Sequence, residues 1–267
     1  MNTALRAPSP LPVDIRLMQS ATAVLLALVL CLCLGAALWW AVRLPVFSLS
    51  GISVQGDTVH NNALTLRANV APRLTGNFFT INLNEARRVF ESVPWVRQAV
   101  VRREFPNRLR VQLQEHQAVA YWGAEGDSRL VNSFGEIFEA NAADAEQADL
   151  PRLVGSNADS AAVLQMSHAL APWVDKLDAS LDQLELSARG AWRAQLDNGA
   201  VIELGSGSSE EVLQRMERFV QTLTPVAARY GRRAGADLQG ADLRHKDGYA
   251  LRLRGVTTVS AVPSPNK

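Results

Sequence analysis

The sequence predicts an α+β protein: a single N-terminal transmembrane helix, a β-α-α-β-β domain, and a mostly antiparallel β-domain with flanking helices. Three observations support this fold class. An uncharged run at 21–42 is long enough to cross a bilayer. In 47–116, apolar residues recur at helical spacing and then at alternate positions. Short strand-like stretches separated by turn residues occupy most of 117–256.

The run at 21–42 is predicted to be an uncleaved membrane anchor. It contains about 22 residues, and roughly 20 helical residues span a bilayer core. Trp39 and Trp40 stand at its end, where indole rings favour the headgroup boundary. A cleaved signal peptide is the alternative, but its apolar region would be about 7–15 residues long. The length and the tryptophans therefore favour an anchor.

The basic residues around the span indicate its orientation. Arg6 and Arg16 precede it, and Arg43 is the only basic residue that follows it closely. Because cytoplasmic flanks carry the excess of Lys and Arg, the N-terminus is predicted to be cytoplasmic and the long C-terminal part to lie outside. Residues 1–20 are interpreted as a short flexible tail.

Composition narrows the class of function. The 267 residues include 27 Lys or Arg and 26 Asp or Glu, so the net charge is +1. A nearly neutral chain lacks the basic field that attracts nucleic acid. The two cysteines, Cys31 and Cys33, lie in the apolar run. The exported part must therefore fold without disulfides or thiolate metal sites.

The segment 47–116 contains the pattern of a small three-stranded domain with two helices on one face. In its last strand Leu109, Val111 and Leu113 alternate with polar residues, which indicates one buried face. Trp95 and Leu109 are predicted core residues. The predicted elements are a strand at 47–55, a short helix after Asn61 or Asn62, a helix at 83–93 ended by Pro94, and strands at 96–104 and 108–115.

The segment 117–256 contains many short strands and two helices. Ser208 and Glu211 form a capping-box pattern at the start of the second helix. Pro172 and Pro225 are expected to bend or end their helices. The predicted strands are 118–122, 129–132, 136–138, 181–186, 192–196, 201–204, 236–244 and 248–254; the first helix is 160–174, and 141–150 is a loop. Residues 257–267 are interpreted as a flexible tail.

We expect no catalytic residue, metal or cofactor. The four histidines show no metal-binding spacing. The run Gly205-Ser206-Gly207-Ser208 is similar to a phosphate loop, but no lysine follows and a capped helix start explains it. Glu203 and Glu211 can be paired on paper for hydrolysis, although nothing distinguishes them from solvated charges.

Five arginines alternate across the two strands that follow Trp95. They allow two interpretations: a solvated face of the sheet, or a basic docking surface for an acidic partner. They are Arg97, Arg102, Arg103, Arg108 and Arg110.

Several stretches resemble the FtsQ/DivIB family of cell division proteins. The run from Pro94-Trp95-Val96 to Arg103, with Phe105-Pro106 and the strand after it, resembles the family's POTRA domain, a β-α-α-β-β module. Residues 131–138 resemble its D-x-x-G-x-x-F hairpin, with Asn132 in place of the usual aspartate. Arg218-Phe219-Val220 and residues 241–244 resemble its β-domain. The resemblance predicts a POTRA domain at 47–116 and a periplasmic β-domain at 117–256.

The resemblance implies a non-enzymatic divisome scaffold in the bacterial inner membrane at the division septum, linking early and late division proteins. The β-domain would bind FtsB, and through it FtsL, while the POTRA domain and the span would meet other divisome membrane proteins. A membrane-anchored periplasmic cell-wall enzyme is the alternative. The implied contact is strand addition at the last strand. The implied partner-binding residues are Arg244, His245, Asp247, Gly248, Tyr249, Leu251 and Leu253.

The last predicted strand, 248–254, has the features of a sheet edge. Arg252 and Arg254 suit an edge that must avoid self-association. His245 stands where the family often has tyrosine, and Leu253 where it can have tryptophan, so individual side-chain contacts differ from those of relatives. The alternative arrangement is a strand flanked on both sides by earlier strands.

The anchor yields a first testable prediction. A reporter that is active only outside the cytoplasm, fused after Lys267, should be active, because the residues before the span carry more positive charge than those after it. The matched control is the same fusion carrying a cytoplasm-specific reporter. Activity of that control alone would contradict the orientation.

Overall fold

The computed structural model describes residues 13–140, 150–245 and 248–256, and the predicted α+β class is confirmed. The chain forms two compact units. The first contains the described residues up to 58 together with 62–92 and 98–113. The second contains 59–61, 93–97 and the described residues from 114 onward. The segment 59–61, just before the two helices of the first unit, and the segment 93–97, just after them, thus belong to the second unit.

Helix α1 runs from Val13 to Val42, so it begins within the segment interpreted as a tail. Asp14 accepts a hydrogen bond from the Ile15 N–H in the first turn, where a carboxylate also suits the helix dipole. The stretch Leu17–Val42 is long and apolar enough to cross a membrane, and its side chains are exposed. Cys31 and Cys33 are free thiols on this helix.

A three-stranded sheet has the order β1-β3-β2. Its strands are β1 (Gly51–Gly56), β2 (Val96–Glu104) and β3 (Arg108–Glu115), with β1 parallel to β3. The first strand was expected from residue 47, but Pro45–Phe47 form a short 3-10 helix instead. Pro45 sets the backbone angle for such a turn, which delays the strand to Gly51.

Two helices accompany this sheet, α2 (Ala63–Val70) and α3 (Leu83–Glu91). The Asn82 side chain accepts hydrogen bonds from the Asn84 and Glu85 N–H groups and so caps α3. Helix α3 ends at Glu91, although 83–93 had helical spacing. Proline disfavours helical backbone in the residue before it, and Pro94 therefore stops the helix early.

The second unit is built on a nine-stranded sheet in the order β12-β11-β10-β9-β8-β7-β4-β5-β6. One strand, β7, was not predicted, because its three residues follow the 141–150 segment and are defined as a strand by their pairing with β4 and β8. The strands are β4 (Ala118–Trp122), β5 (Arg129–Asn132), β6 (Ile137–Glu139), β7 (Arg152–Val154), β8 (Leu181–Leu186), β9 (Ala191–Leu196), β10 (Val201–Ser206), β11 (Leu238–Asp242) and β12 (Ala250–Leu253). Most of the predicted loop at 141–150 lies outside the described residues.

Helices α4 (Ser160–Asp175) and α5 (Ser209–Arg229) pack on this sheet. The capping box is confirmed: Ser208 Oγ accepts the Glu211 N–H, and Glu211 Oε2 accepts the Ser208 N–H. Pro172 and Pro225 were expected to bend or end their helices, and the expectation that they end them is wrong. Both helices continue past their proline because Val174 and Ala227, which follow it, are buried in the core.

Trp95 is buried as predicted, with 4% of its surface exposed, but it packs in the second unit. It clusters with Leu130, Phe138 and Ala140, and its ring stacks on His60 at 3.8 Å. Its backbone angle φ is +68°, in the left-handed region. The apolar pattern showed that Trp95 is buried without showing which unit it joins.

The Glu115 carboxylate holds the neighbouring loop of the second unit. It accepts hydrogen bonds from the N–H groups of Val59, His60 and Asn61 at 2.9–3.0 Å. The Asn61 amide in turn donates to the Pro94 carbonyl at 2.9 Å. These bonds place His60 against the Trp95 ring, so a short loop distant in sequence completes the tryptophan site.

Three of the five arginines proposed as a basic docking surface have structural partners. The guanidinium of Arg97 binds Glu136 and lowers the pKa of that carboxyl to about 2. Arg103 donates to the carbonyls of Phe78 and Ile81 at 2.7 and 2.8 Å. Arg110 pairs with Glu104. The solvated-face interpretation therefore describes these strands better than a dedicated docking surface.

The Trp95 site gives a stability prediction. Trp95→Ala should lower the free energy of unfolding of residues 43–267 by about 3–5 kcal/mol, because it empties a buried aromatic site. Urea unfolding followed by circular dichroism measures this. The matched control is Tyr230→Ala, an aromatic residue that is 59% exposed. Equal midpoints for the two variants would show that Trp95 carries no packing energy.

Candidate functional site

The candidate site is the edge of the nine-stranded sheet formed by β12. This strand pairs antiparallel with β11, with Ala250 opposite Asp242 and Leu253 opposite Leu238. Among the described residues, no strand lies on its other side. The strand is shorter than the predicted 248–254, because Gly248 and Tyr249 precede the first paired residue.

The backbone of β12 presents its two sides differently. The Arg254 N–H donates to the Asp237 carbonyl at 2.8 Å, so this N–H points toward β11. The N–H groups of successive residues point to opposite sides of a strand. The bulge in this pair lies on β11, between Leu238 and Gly240, so it does not interrupt this alternation on β12. The Arg252 N–H therefore also points inward. The N–H groups of Leu251 and Leu253 point to the open side.

Three of the predicted partner-binding residues turn their side chains into the core. Leu253 is 4% exposed, and Leu251 and Tyr249 pack against the core cluster. The Tyr249 ring meets Phe219 of α5 edge-on at 5.1 Å, and its hydroxyl lies 2.9 Å from Thr222 Oγ1. These side chains hold the strand in place. The groups that remain available to a partner are therefore the backbone N–H and C=O groups on the open side of β12.

The remaining predicted residues lie where β11 leads into β12. Arg244 makes two hydrogen bonds to the Asp242 carboxylate, at 2.8 and 2.5 Å, and lowers the pKa of that carboxyl to about 2. His245 and Gly248 line a small surface groove beside α5. Asp247 lies outside the described residues. Arg244 thus has its charge balanced within the chain.

The outer face and the end of the strand carry positive charge. Arg252 and Arg254, assigned to this role from the sequence, are exposed. The turn after α5 adds Arg232, whose guanidinium lies 3.5 Å from the Gly255 carbonyl, and exposed Arg233. Sequence reasoning missed the latter two, although the run Tyr230-Gly231-Arg232-Arg233 was a visible signal.

The motif similar to a phosphate loop has a structural explanation. Arg215 of α5 donates to the Leu204 and Ser206 carbonyls at 2.6 and 2.5 Å, which fastens the β10–α5 turn. Gly207 has φ of +136°, and a Cβ there would meet the Glu211 side chain. Glycine at this position thus allows the backbone conformation of the turn and leaves room for the Glu211 side chain of the capping box. In the described part of the chain, no three His, Cys, Asp or Glu side chains are grouped to hold a metal ion.

The fold and the open edge define a class: an α+β protein with an N-terminal apolar helix long enough to span a membrane, a small three-stranded domain, and a β-domain whose last described strand has one unpaired side among the described residues. Residues 47–116 match the family model "POTRA domain, FtsQ-type". Residues 120–244 match "Cell division protein FtsQ/DivIB, C-terminal". The second match ends before β12 begins.

Curated relatives extend the match to nearly the whole chain. A cell division protein FtsQ of Thiomonas arsenitoxydans is 39% identical over 98% of this chain and 95% of its own length. One of Burkholderia pseudomallei is 39% identical over 83% of this chain and 86% of its own. One of Neisseria meningitidis is 27% identical over 81% and 87%. The chain belongs to the FtsQ/DivIB family of cell division proteins.

Proposed function

We propose that this chain is a non-enzymatic scaffold of the divisome that binds FtsB, and FtsL through it, by strand addition at β12. The supporting observation is the open side of β12 among the described residues. The partner would pair its backbone with that edge and extend the sheet by one strand. The chain would act in the bacterial inner membrane at the division septum, with the part after α1 in the periplasm.

The geometry specifies what the partner strand must supply. Its carbonyl groups would accept hydrogen bonds from the N–H groups of Leu251 and Leu253. Its side chains on the inner face would continue the apolar layer in which Leu251 and Tyr249 pack against the core. The exposed Arg252 and Arg254 favour acidic residues on the partner's outer face. An amphipathic strand with acidic outer positions meets all three requirements.

Strand β12 is held in place by its packing against α5 before any partner binds. Tyr249 is fixed to α5 through Phe219 and Thr222, and α5 begins at a complete capping box. An edge that is already ordered loses little conformational entropy when a partner binds. Binding energy then goes into the added backbone ladder rather than into ordering the receptor.

The carboxylates considered for a membrane-anchored cell-wall enzyme have structural partners. Glu203 binds Arg193 at 2.7 Å, and Glu211 completes the capping box of α5. A pair of carboxylates that works on a glycosidic bond instead needs one member free to exchange a proton. These contacts favour the scaffold over the enzyme.

Replacing single backbone N–H groups tests strand addition while every side chain is kept. An ester in place of the Leu251 amide removes an outward N–H and should weaken FtsB binding about tenfold, the loss expected for one hydrogen bond. The unfolding midpoint should fall only slightly, because the inward Ala250 carbonyl becomes a weaker acceptor but is kept. Titration calorimetry of residues 43–267 with the periplasmic part of FtsB measures the affinity.

The matched control is the same ester at Arg252, whose N–H points toward β11. It should lower the unfolding midpoint, because it removes a bond inside the sheet. Folded molecules should lose less affinity for FtsB than the Leu251 ester does, because the outward Leu251 carbonyl becomes a weaker acceptor but is kept. Wild-type affinity in the Leu251 ester would exclude strand addition at this edge.

A further inference from the structure

The first unit carries an exposed aromatic patch that takes no part in strand addition at β12. Its exposed members are Val46, Phe79 and Phe105; Phe47 is partly exposed, and Phe78, with 7% of its surface exposed, is buried beneath them. Phe105 is 78% exposed, Val46 69% and Phe79 46%. Single exposed apolar residues are ordinary, but a contiguous group of this kind marks a surface that contacts protein or membrane.

The patch is a packed structure rather than a chance grouping. Phe79 meets Phe47 at 4.9 Å and Phe78 at 5.2 Å, both edge-on. Phe105 lies 6.2 Å from Phe78, again nearly perpendicular. Arg103 donates to the Phe78 and Ile81 carbonyls and so fixes the backbone beneath the rings. Buried Phe78 therefore holds the Phe79 and Phe105 rings in place, while these two rings face solvent.

One contact attaches the patch to the end of α1, and a second joins two of its own segments. The Asn77 side chain donates to the carbonyl of Val42, the last residue of the helix, at 2.6 Å. The Phe78 N–H donates to the Phe47 carbonyl at 2.9 Å. The loop that carries Phe78 and Phe79 is thus bonded directly to the terminus of the membrane-spanning helix and to the residues that follow it.

The chain length places the patch at the membrane surface. Val46 follows Val42 by four residues, which reach at most about 14 Å even when fully extended. The headgroup layer on one side of a bilayer is itself about 5–8 Å thick. Trp39 and Trp40 mark the boundary of the hydrocarbon core one turn before the helix ends.

We propose that Val46, Phe79 and Phe105 form a lipid-contact surface that rests on the bilayer leaflet at the C-terminal end of α1. Apolar rings at this depth can enter the boundary between headgroups and acyl chains, as the apolar faces of interfacial helices do. Arg43 lies over the Trp39 ring at 3.8 Å, which puts a cation at phosphate level. The inference rests on α1 spanning the membrane and is independent of FtsB binding.

Lipid quenching of the full-length chain in proteoliposomes tests this surface. In a Cys31→Ala, Cys33→Ala background, an environment-sensitive fluorophore is attached at Val46→Cys, and phosphatidylcholine with a nitroxide near the headgroup acts as quencher. Quenching should be several-fold stronger than at Leu64→Cys, an apolar position of the same unit that lies outside the patch and is 79% exposed, against 69% for Val46. Phe105→Ser should reduce quenching at position 46, because it removes the most exposed ring.

A fluorophore attached at Trp39→Cys distinguishes failure of the lipid contact from failure of the membrane span. Quenching at position 39 with none at position 46 would overturn the proposal and leave the patch open to a protein partner instead. Absence of quenching at both positions would refute the membrane span and the lipid contact together. Circular dichroism of each labelled variant shows that it is folded.

Discussion

The backbone groups along the open side of β12 are the feature on which the functional account depends. An open sheet must end in two edges, and each edge leaves donors and acceptors that require water or a partner. In the described part of the chain, the edges are β12 and β6. The β6 edge is three residues long and includes Phe138, which packs against Trp95. The β12 edge instead has basic residues on its exposed face and apolar side chains beneath it, so it is protected from self-pairing and still open to an acidic strand.

Helix α5 keeps this edge in place. Its N-terminus is closed by the capping box and by Arg215, which binds the carbonyls of the preceding turn. Its middle supplies Phe219 and Thr222 to Tyr249. Its last turn continues past Pro225 because Ala227 is buried. A helix capped at one end and packed along its length gives a short edge strand the rigidity that it could not have alone.

The sequence predicted much of this architecture, because the spacing of apolar residues and the residues that start helices and turns are local features of the chain. The bounds of β2 and β3 agree with the alternating pattern, and the capping box at Ser208 was readable from two residues. Other features depend on tertiary neighbours, which a local pattern cannot show. Trp95 is apolar wherever it packs, and β7 is visible only through its pairing with β4 and β8. For the site, the sequence indicated a terminal strand with exposed arginines. The family resemblance assigned Tyr249, Leu251 and Leu253 to the partner, and only their packing against the core shows that these side chains face inward.

Amide hydrogen exchange, resolved to single residues of β12, tests the central claim most directly. In the free chain, the N–H groups of Arg252 and Arg254 should exchange slowly because they point toward β11, and those of Leu251 and Leu253 should exchange rapidly. Addition of FtsB should slow exchange at Leu251 and Leu253 by at least tenfold and change the inward pair far less. Unchanged exchange at Leu251 and Leu253 in the saturated complex would contradict an added strand at this edge.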